Sequence, residues 1–282
     1  MKILFFDLNL YRQVGSFNFA SKSIIHFNFS KNMQYSLHQI AKMIDHSLLH
    51  PTMTDADLIA GCELAKQYDV ATVCIKPYFV KQATELLKDS DVAVCTVVGF
   101  PHGSSTIQQK VAETRQACKD GATEIDMVVN VGKVLSEDWR YVKKEINAIL
   151  KESHKHGAIL KVIFENDFLP KDKYKIKLCK ICSILEVEFI KTSTGYGYNK
   201  QANGDYNYKG ATEYDLILMR KNTTPNVQIK AAGGVRTLDG LLNVMDLGVT
   251  RLGATATATI IEDAKKRLGL VSSEVTLPTV GY

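Results

Sequence analysis

Eight short β-rich runs, each separated from the next by a stretch with helical spacing, constrain this chain more than any other feature. The runs fall at residues 43–48, 71–75, 92–99, 124–130, 160–165, 189–194, 228–234 and 251–255, and amphipathic stretches such as 107–120 and 139–154 lie between them. Thr54 followed by Asp55 and Asp57 reads as a helix N-terminus, because a hydroxyl caps free N–H groups and acidic side chains suit the first turn; Gly121 reads as a stop. Parallel neighbours need a crossover connection, so strict alternation implies parallel βαβ units. Eight such units are the number that closes a (β/α)8 TIM barrel, which needs about 250 residues; the chain has 282. The competitor is an open doubly wound sheet. No G-x-G-x-x-G follows the first run, and polar residues sit at the carboxyl ends of nearly every run, so the barrel is the expected fold class.

The ends of the chain read differently. Between Leu8 and Ile44 there is no Asp or Glu, while Phe, Asn, Ser and Tyr crowd together. Acid-poor, Ser-rich leaders include transit peptides, but this one lacks their arginine richness. Residues 1–32 are therefore expected to be an extension outside the fold, with Met33 as an alternative start. Residues 33–270 are the expected barrel domain and 271–282 a flexible tail. Net charge is +5, from 35 Lys and Arg against 30 Asp and Glu, too thin and scattered an excess for a nucleic-acid partner. No apolar run approaches the roughly 20 residues that span a bilayer. Six cysteines in so long a chain are no disulfide framework, which points to a reducing, cytoplasmic setting.

Active sites of barrels lie at the C-terminal ends of the strands. Those ends carry Asp45 and Ser47, Cys74 and Lys76, His102 just past the third run, Asp126, Lys161, Lys191, Lys230 and the turn 253–255. Ionisable residues inside parallel strands are anomalous, because such strands are normally apolar. One strand lysine is most simply an outward, snorkelling residue. Lys161, Lys191 and Lys230 on three neighbouring runs, with Asp126 on the run before them, suggest an inward group instead. A lysine amine with an ordinary pKa of about 10.4 is almost wholly protonated at neutral pH. A second ammonium and apolar surroundings disfavour the charged form, and the free amine can attack a carbonyl to form a Schiff base. Asp126 would carry protons for the carbinolamine steps, directly or through a water.

A second half-site comes from glycine turns. Ala232-Gly233-Gly234-Val235 closes the seventh run and Leu252-Gly253-Ala254-Thr255 the eighth. Loops in these two places are the usual phosphate site of a barrel, where backbone N–H groups and a helix N-terminus face an anion. The glycines could equally serve tight turns alone. With the lysines, they suggest a Schiff-base enzyme for a small phosphorylated carbonyl compound.

At this point the chain resembles the deoxyribose-phosphate aldolases, the class I aldolases of deoxynucleoside breakdown. The resemblance runs from about Ile40 to Ile261. It is carried by Ile44-Asp45-His46-Ser47-Leu48-Leu49, Val94-Cys95-Thr96-Val97-Val98-Gly99-Phe100-Pro101, Glu124-Ile125-Asp126-Met127-Val128-Val129-Asn130, Phe189-Ile190-Lys191-Thr192-Ser193-Thr194-Gly195 and Ile229-Lys230-Ala231-Ala232-Gly233-Gly234-Val235-Arg236-Thr237. It implies reversible cleavage of 2-deoxy-D-ribose 5-phosphate to D-glyceraldehyde 3-phosphate and acetaldehyde, without a cofactor or metal. Carried over position by position, the Schiff-base lysine is Lys191, its perturbing neighbour Lys230 and the proton relay Asp126. The phosphate turns fall on Gly195, Gly233, Gly234, Gly253 and Thr255, and Ser47, Cys74, Lys161 and Thr194 are expected around the substrate. Some members of the family end in a tyrosine proposed as an acid–base group, a role that would fall on Tyr282. A homodimer is common among them. The segment 196–210 departs from the family pattern: it is longer than usual, rich in Tyr, Asn, Gly and Lys, and has Tyr196 where some members carry a lysine near the phosphate. Lys200 or Lys209 could compensate.

Other features invite different readings. Cys179-Lys180-Ile181-Cys182 is a C-x-x-C, but no second pair or histidine pair completes a zinc site; two small buried side chains on one helix face fit better. His154-Lys155-His156 reads as a solvated helix end. The seven histidines show no paired arrangement with a carboxylate at strand ends, which disfavours a metal-dependent aldolase. Transaldolase-like and keto-acid aldolases share a sixth-strand lysine, and Lys230 with Asp126 argues against them. A catalytically dead phosphate-binding barrel would need one of Lys191, Lys230 and Asp126 to be lost, and none is.

Overall fold

The structure, a computed structural model, describes residues 34–270. After the short helix α1 (Leu37–Ala41) the chain alternates β1 (Ile44–Leu48), α2 (Asp55–Tyr68), β2 (Thr72–Ile75), α3 (Val80–Leu87), β3 (Ala93–Val98), α4 (Ile107–Lys119) and β4 (Glu124–Val128). It continues with α5 (Val131–Leu135), α6 (Trp139–Lys155), β5 (Ile159–Ile163), α7 (Asp172–Leu185) and β6 (Phe189–Lys191). A two-stranded hairpin, β7 (Asn199–Lys200) and β8 (Tyr206–Asn207), then precedes α8 (Glu213–Lys221), β9 (Gln228–Ala232), α9 (Leu238–Asp246), β10 (Arg251–Ala254) and α10 (Thr257–Arg267). Strands β1 to β6, β9 and β10 pair in parallel in that order, and β10 pairs back with β1 to close the barrel. This is the (β/α)8 TIM barrel expected from the alternation. Among the described residues, no helix is long and apolar enough to cross a membrane.

Period-two alternation divides every strand between two environments. Outward positions such as Ile44, Val73, Val94, Ile125, Leu160, Ile190, Ile229 and Leu252 belong to one apolar cluster with the inner faces of the helices. Burying each such side chain stabilises the fold by roughly 1.5–3 kcal/mol. Inward positions are instead charged, sulfur-bearing or small: Asp45, Cys74, Cys95, Asp126, Lys161, Lys191, Lys230 and Gly253. Helix starts follow local chemistry. Thr54 Oγ1 accepts from the Asp57 N–H at 3.3 Å while the Asp57 carboxylate accepts from the Thr54 N–H at 2.7 Å. This capping box satisfies donors that the first turn leaves open.

The strands are shorter than expected at their carboxyl ends. The strands end at Lys191, Ala232 and Ala254, and beyond the first two the chain turns through the positive-φ glycines Gly195, Gly233 and Gly234. The segment 196–210 forms the small hairpin, with Asn199 opposite Asn207 and Lys200 opposite Tyr206. Cys179 and Cys182 are both fully buried on α7. His154 is exposed and meets Glu188 at 2.8 Å. The extension 1–32 and the tail 271–282, with Tyr282, lie outside the described residues.

Candidate active site

Register across the barrel assembles the site. Lys191 and Lys230 are partners across β6 and β9, and Asp126 and Lys161 are partners across β4 and β5. All four side chains turn inward, and the snorkelling reading of the strand lysines does not hold. Asp126 sits at the centre: its Oδ2 lies 2.8 Å from Lys191 Nζ and 2.8 Å from Lys230 Nζ, and its Oδ1 lies 2.9 Å from Lys161 Nζ. Two further carboxylates and an arginine complete the cluster. Asp45 reaches Lys230 at 2.5 Å and Arg251 at 2.5 Å; Glu124 reaches Lys161 at 2.5 Å and Arg251 at 3.1 Å.

Four cations thus face three carboxylates in a largely buried cluster; the side chains of Asp45, Asp126, Lys161 and Lys230 are all 0% exposed. Burial alone would push the Asp126 carboxyl up, but the ammonium groups of Lys161, Lys191 and Lys230 outweigh it and hold it well below the usual carboxylate range. Asp45 is lowered in the same way, burial being overcome by Lys230, Lys161 and Arg251. Burial would lower Lys230, yet Asp126 and Asp45 raise it, so it stays an ammonium throughout the neutral range. Lys161 is raised likewise by Asp126 and its other anionic neighbours. The cations are not equally compensated. Lys161 meets three carboxylates, Lys230 and Arg251 two each, and Lys191 only Asp126.

Lys191 and Lys230 open into a cavity of about 400 Å³ at the C-terminal mouth of the barrel. Ser47, Cys74, Thr194 and Gly195 line it, and so do Gly233, Gly234, Gly253 and Thr255. Lys161, expected around the substrate, is not among the lining residues: it lies wholly buried against Asp126, Glu124 and Asp45. Neither Lys200 nor Lys209 lines it; both are exposed. The glycine-turn end of the cavity holds another cation, Arg236, which follows the Gly233-Gly234 turn and has no hydrogen-bond or ion-pair partner among the described residues. Helix α10 starts beside the same end, and its N-cap Ala256 offers no side-chain cap. Its first N–H groups are therefore free to meet an anion.

Sequence reasoning passed over several residues. Asp45 was noted only as a strand end, and Glu124 and Arg251 not as site residues at all, although a carboxylate two residues before Asp126 must share its inward face. Cys95 Sγ lies 3.2 Å from Asp126 Oδ1 and 3.7 Å from Cys74 Sγ. The Cys95 hydrogen bond lowers the Cys74 thiol, while burial pushes Cys95 well up. Cys74, Cys95 and Asp126 lie within ligand distance of one another, but Asp126 is held by three ammonium groups, so this donor set is an ion-pair cluster rather than a cation site. Glu165, just past β5, has a left-handed backbone with φ of 56°. Its carboxylate accepts from the Thr194 N–H at 3.2 Å and from the Thr194 hydroxyl. Burial against those hydrogen bonds brings it up to about 7.

A parallel barrel whose carbonyl-end cavity is floored by two lysines bridged by one aspartate defines a lysine-dependent, class I aldolase. The particular family follows from comparison with known proteins. Residues 39–266 match the DeoC/LacD family of aldolases, and the chain belongs to that family. It is 48% identical over 242 residues to the deoxyribose-phosphate aldolase of Rhodopirellula baltica, covering 86% of this chain and 96% of that one. It is 46% identical over 233 residues to that of Caldanaerobacter subterraneus, covering 82% and 96%. Among solved structures, the tetrameric deoxyribose phosphate aldolase of Aeropyrum pernix superposes with a TM-score of 0.72 at 26% identity, over 82% of this chain and 92% of that one.

Proposed function

We propose that this chain reversibly cleaves 2-deoxy-D-ribose 5-phosphate to D-glyceraldehyde 3-phosphate and acetaldehyde, with Lys191 as the Schiff-base nucleophile. The observation that carries the assignment is the single Asp126 oxygen shared by Lys191 and Lys230, each at 2.8 Å. Lys191 is the least compensated of the four cations, so its loss of a proton leaves three cations against three carboxylates. It also lines the cavity, where an aldehyde can reach it. Lys230 remains charged and favours the free amine beside it.

In the cleavage direction the Lys191 amine adds to the C1 carbonyl of the open-chain sugar. The carbinolamine loses water to give a protonated imine. A proton leaves the C3 hydroxyl, the C2–C3 bond breaks, and its electron pair moves into the imine to give an enamine while glyceraldehyde 3-phosphate departs. Protonation of C2 and hydrolysis release acetaldehyde and restore the amine. Asp126, 2.8 Å from the free amine, carries protons to and from the nitrogen, directly or through a water, with Lys230 adjoining it. The Gly233-Gly234 turn, the N-terminus of α10 and Arg236 receive the phosphate, which fixes the sugar's orientation and supplies binding energy away from the reacting carbons. A transaldolase-like or keto-acid aldolase reading would not require the Lys191–Asp126–Lys230 bridge.

A cytoplasmic setting belongs to the same proposal, supported by six free cysteines; a homodimer is carried over from the family resemblance and is read by sedimentation. Borohydride added with acetaldehyde tests the central claim. It should inactivate the enzyme irreversibly and leave an ethyl group on the peptide holding Lys191. An adduct on Lys230 or Lys161 with Lys191 unmodified refutes it.

A further inference from the structure

The segment 196–210 is built into the mouth of the barrel. Its start is held by Glu165, which binds Thr194 and lies so close to Gly197 that a Cβ there would meet Glu165 Oε1 at 2.8 Å. Its end is held by Asp167, whose carboxylate accepts from the Lys209 N–H at 2.6 Å and the Gly210 N–H at 3.0 Å, and whose carbonyl accepts from Asn199 Nδ2 at 2.7 Å. Gly210 packs directly on the phosphate turn: an added Cβ would stand 2.6 Å from the Gly233 carbonyl oxygen, and the Ala211 N–H donates to that oxygen at 3.1 Å. These anchors press one ring, Tyr208, onto Gly233, with its Cε2 3.2 Å from the place a Cβ would occupy. Tyr198 stacks edge-on against Tyr208 with ring centroids 5.0 Å apart. Both rings line the cavity. Among the described residues neither hydroxyl has a hydrogen-bond partner, although the carboxylates of Glu165, Asp167 and Asp205 lie in the same loops.

We propose that the hairpin is a phosphate-recognising wall in which the hydroxyls of Tyr208 and Tyr198 donate hydrogen bonds to the phosphate lying on the Gly233-Gly234 turn. The inference rests on the sugar-phosphate reading above and adds residues to it. A phosphate dianion offers more acceptor sites than one turn and one guanidinium can fill, and a phenol donates to it without adding charge. A phenol is also the wall best suited to a cavity whose floor already holds an excess cation. The Cε2 edge of Tyr208, the edge next to the carbon that bears the hydroxyl, is the part of the ring nearest Gly233.

Tyr208→Phe and Tyr198→Phe test this, because each keeps the ring and removes only the donor. Tyr206, on the same hairpin but 65% exposed and not lining the cavity, is the control as Tyr206→Phe. Steady-state kinetics are compared on deoxyribose 5-phosphate and on unphosphorylated deoxyribose, with inorganic phosphate binding measured by calorimetry. Tyr208→Phe should raise KM for the phosphorylated sugar roughly tenfold or more, the weight of a hydrogen bond to a charged group. It should leave kcat and the kinetics on deoxyribose unchanged and weaken inorganic phosphate to match. Tyr198→Phe should act in the same direction and Tyr206→Phe not at all. Equal effects on both sugars, or none on either, overturn the proposal. If the wild-type enzyme does not turn over deoxyribose 5-phosphate, the functional reading falls. The wall is then decided by calorimetry alone, with equal phosphate binding by wild type and Tyr208→Phe overturning it.

Discussion

Replacing Lys230 by methionine isolates the electrostatic contribution of the second lysine, since methionine keeps most of the unbranched side chain and removes the charge. The two ammonium nitrogens share one Asp126 oxygen at 2.8 Å each, so they can be no more than about 5.6 Å apart, and at that separation two like charges repel by roughly 3 kcal/mol at an effective dielectric of 20. Divided by 1.36 kcal/mol per pH unit, that is about 2 units. In Lys230→Met the repulsion is gone and Asp126 has one ammonium fewer to satisfy it, so both changes favour a protonated Lys191. The acidic limb of the kcat/KM profile for deoxyribose 5-phosphate should therefore move up by about 2 pH units, with activity low at pH 7 and recovering as pH rises. Stability falls as well, because Asp45 loses its 2.5 Å partner, and breaking a buried pair typically costs about 3–5 kcal/mol. Arg251, also 2.5 Å from Asp45, limits that loss. Profiles are thus measured well below the melting temperature, with circular dichroism at each pH. A folded Lys230→Met enzyme whose acidic limb coincides with wild type refutes the argument and leaves Lys230 a purely structural role.

Asp126→Asn should lower kcat by ~10²- to 10⁴-fold, the usual weight of a positioned proton carrier, and stopped assays at saturating substrate read it. Gly234→Asp should raise KM for deoxyribose 5-phosphate far more than for deoxyribose, because it puts a negative charge where the phosphate docks; Gly234→Ala, at the same φ of 90°, measures the backbone strain alone. His46 gives a stability prediction. Its Nδ1 pairs with Thr257 Oγ1 at 2.8 Å and burial brings it down to about 4, so the unfolded chain binds the proton first as pH falls. Stability should be full above pH 6.5 and decline by on the order of 3 kcal/mol toward pH 4. Denaturant titrations across that window check it, with His46→Gln flattening this part of the slope.

The inward lysines were legible because a charged residue inside a parallel strand contradicts the ordinary composition of such strands, and three contradictions on adjacent strands share one cause. The depth of each residue along the barrel axis was not legible. Lys161 and Lys191 look alike in sequence. The register that pairs Lys161 with Asp126 and Phe189, and Lys191 with Ile163 and Lys230, sets one below the carboxylate and the other at the cavity. Arg251 and Glu124 were passed over for a related reason: both lie toward the starts of their strands, where a charged residue usually meets solvent, and only closure of the ring brings them together at 3.1 Å. The hairpin left no strand signal, since its strands are two residues each, too short for an alternating pattern. Glu165 owes its aim at Thr194 to a left-handed backbone that a non-glycine sequence does not announce.

The barrel interior has a further consequence for how this chain stays folded. In many barrels the inside is filled with branched aliphatic layers that contribute to stability. Here the corresponding positions hold Asp45, Glu124, Asp126, Lys161, Lys191, Lys230 and Arg251, and taking such charges out of water costs about as much as their mutual attraction returns. The apolar shell between strands and helices must therefore supply most of the folding free energy. That shell is continuous around the ring, from Ile44 and Val73 through Ile125, Val162 and Ile190 to Leu252, and the helix faces against it are equally apolar. The two layers answer to different demands. Outward residues hold the strands in register, and that register fixes the separations between inward charges to within a hydrogen-bond length. The sparse compensation of Lys191, which meets Asp126 alone, is thus a product of strand register as much as of the lysine itself. A strand slipped by one residue would turn its inward charges to the outer shell and lose both the fold's support and the amine's setting at once.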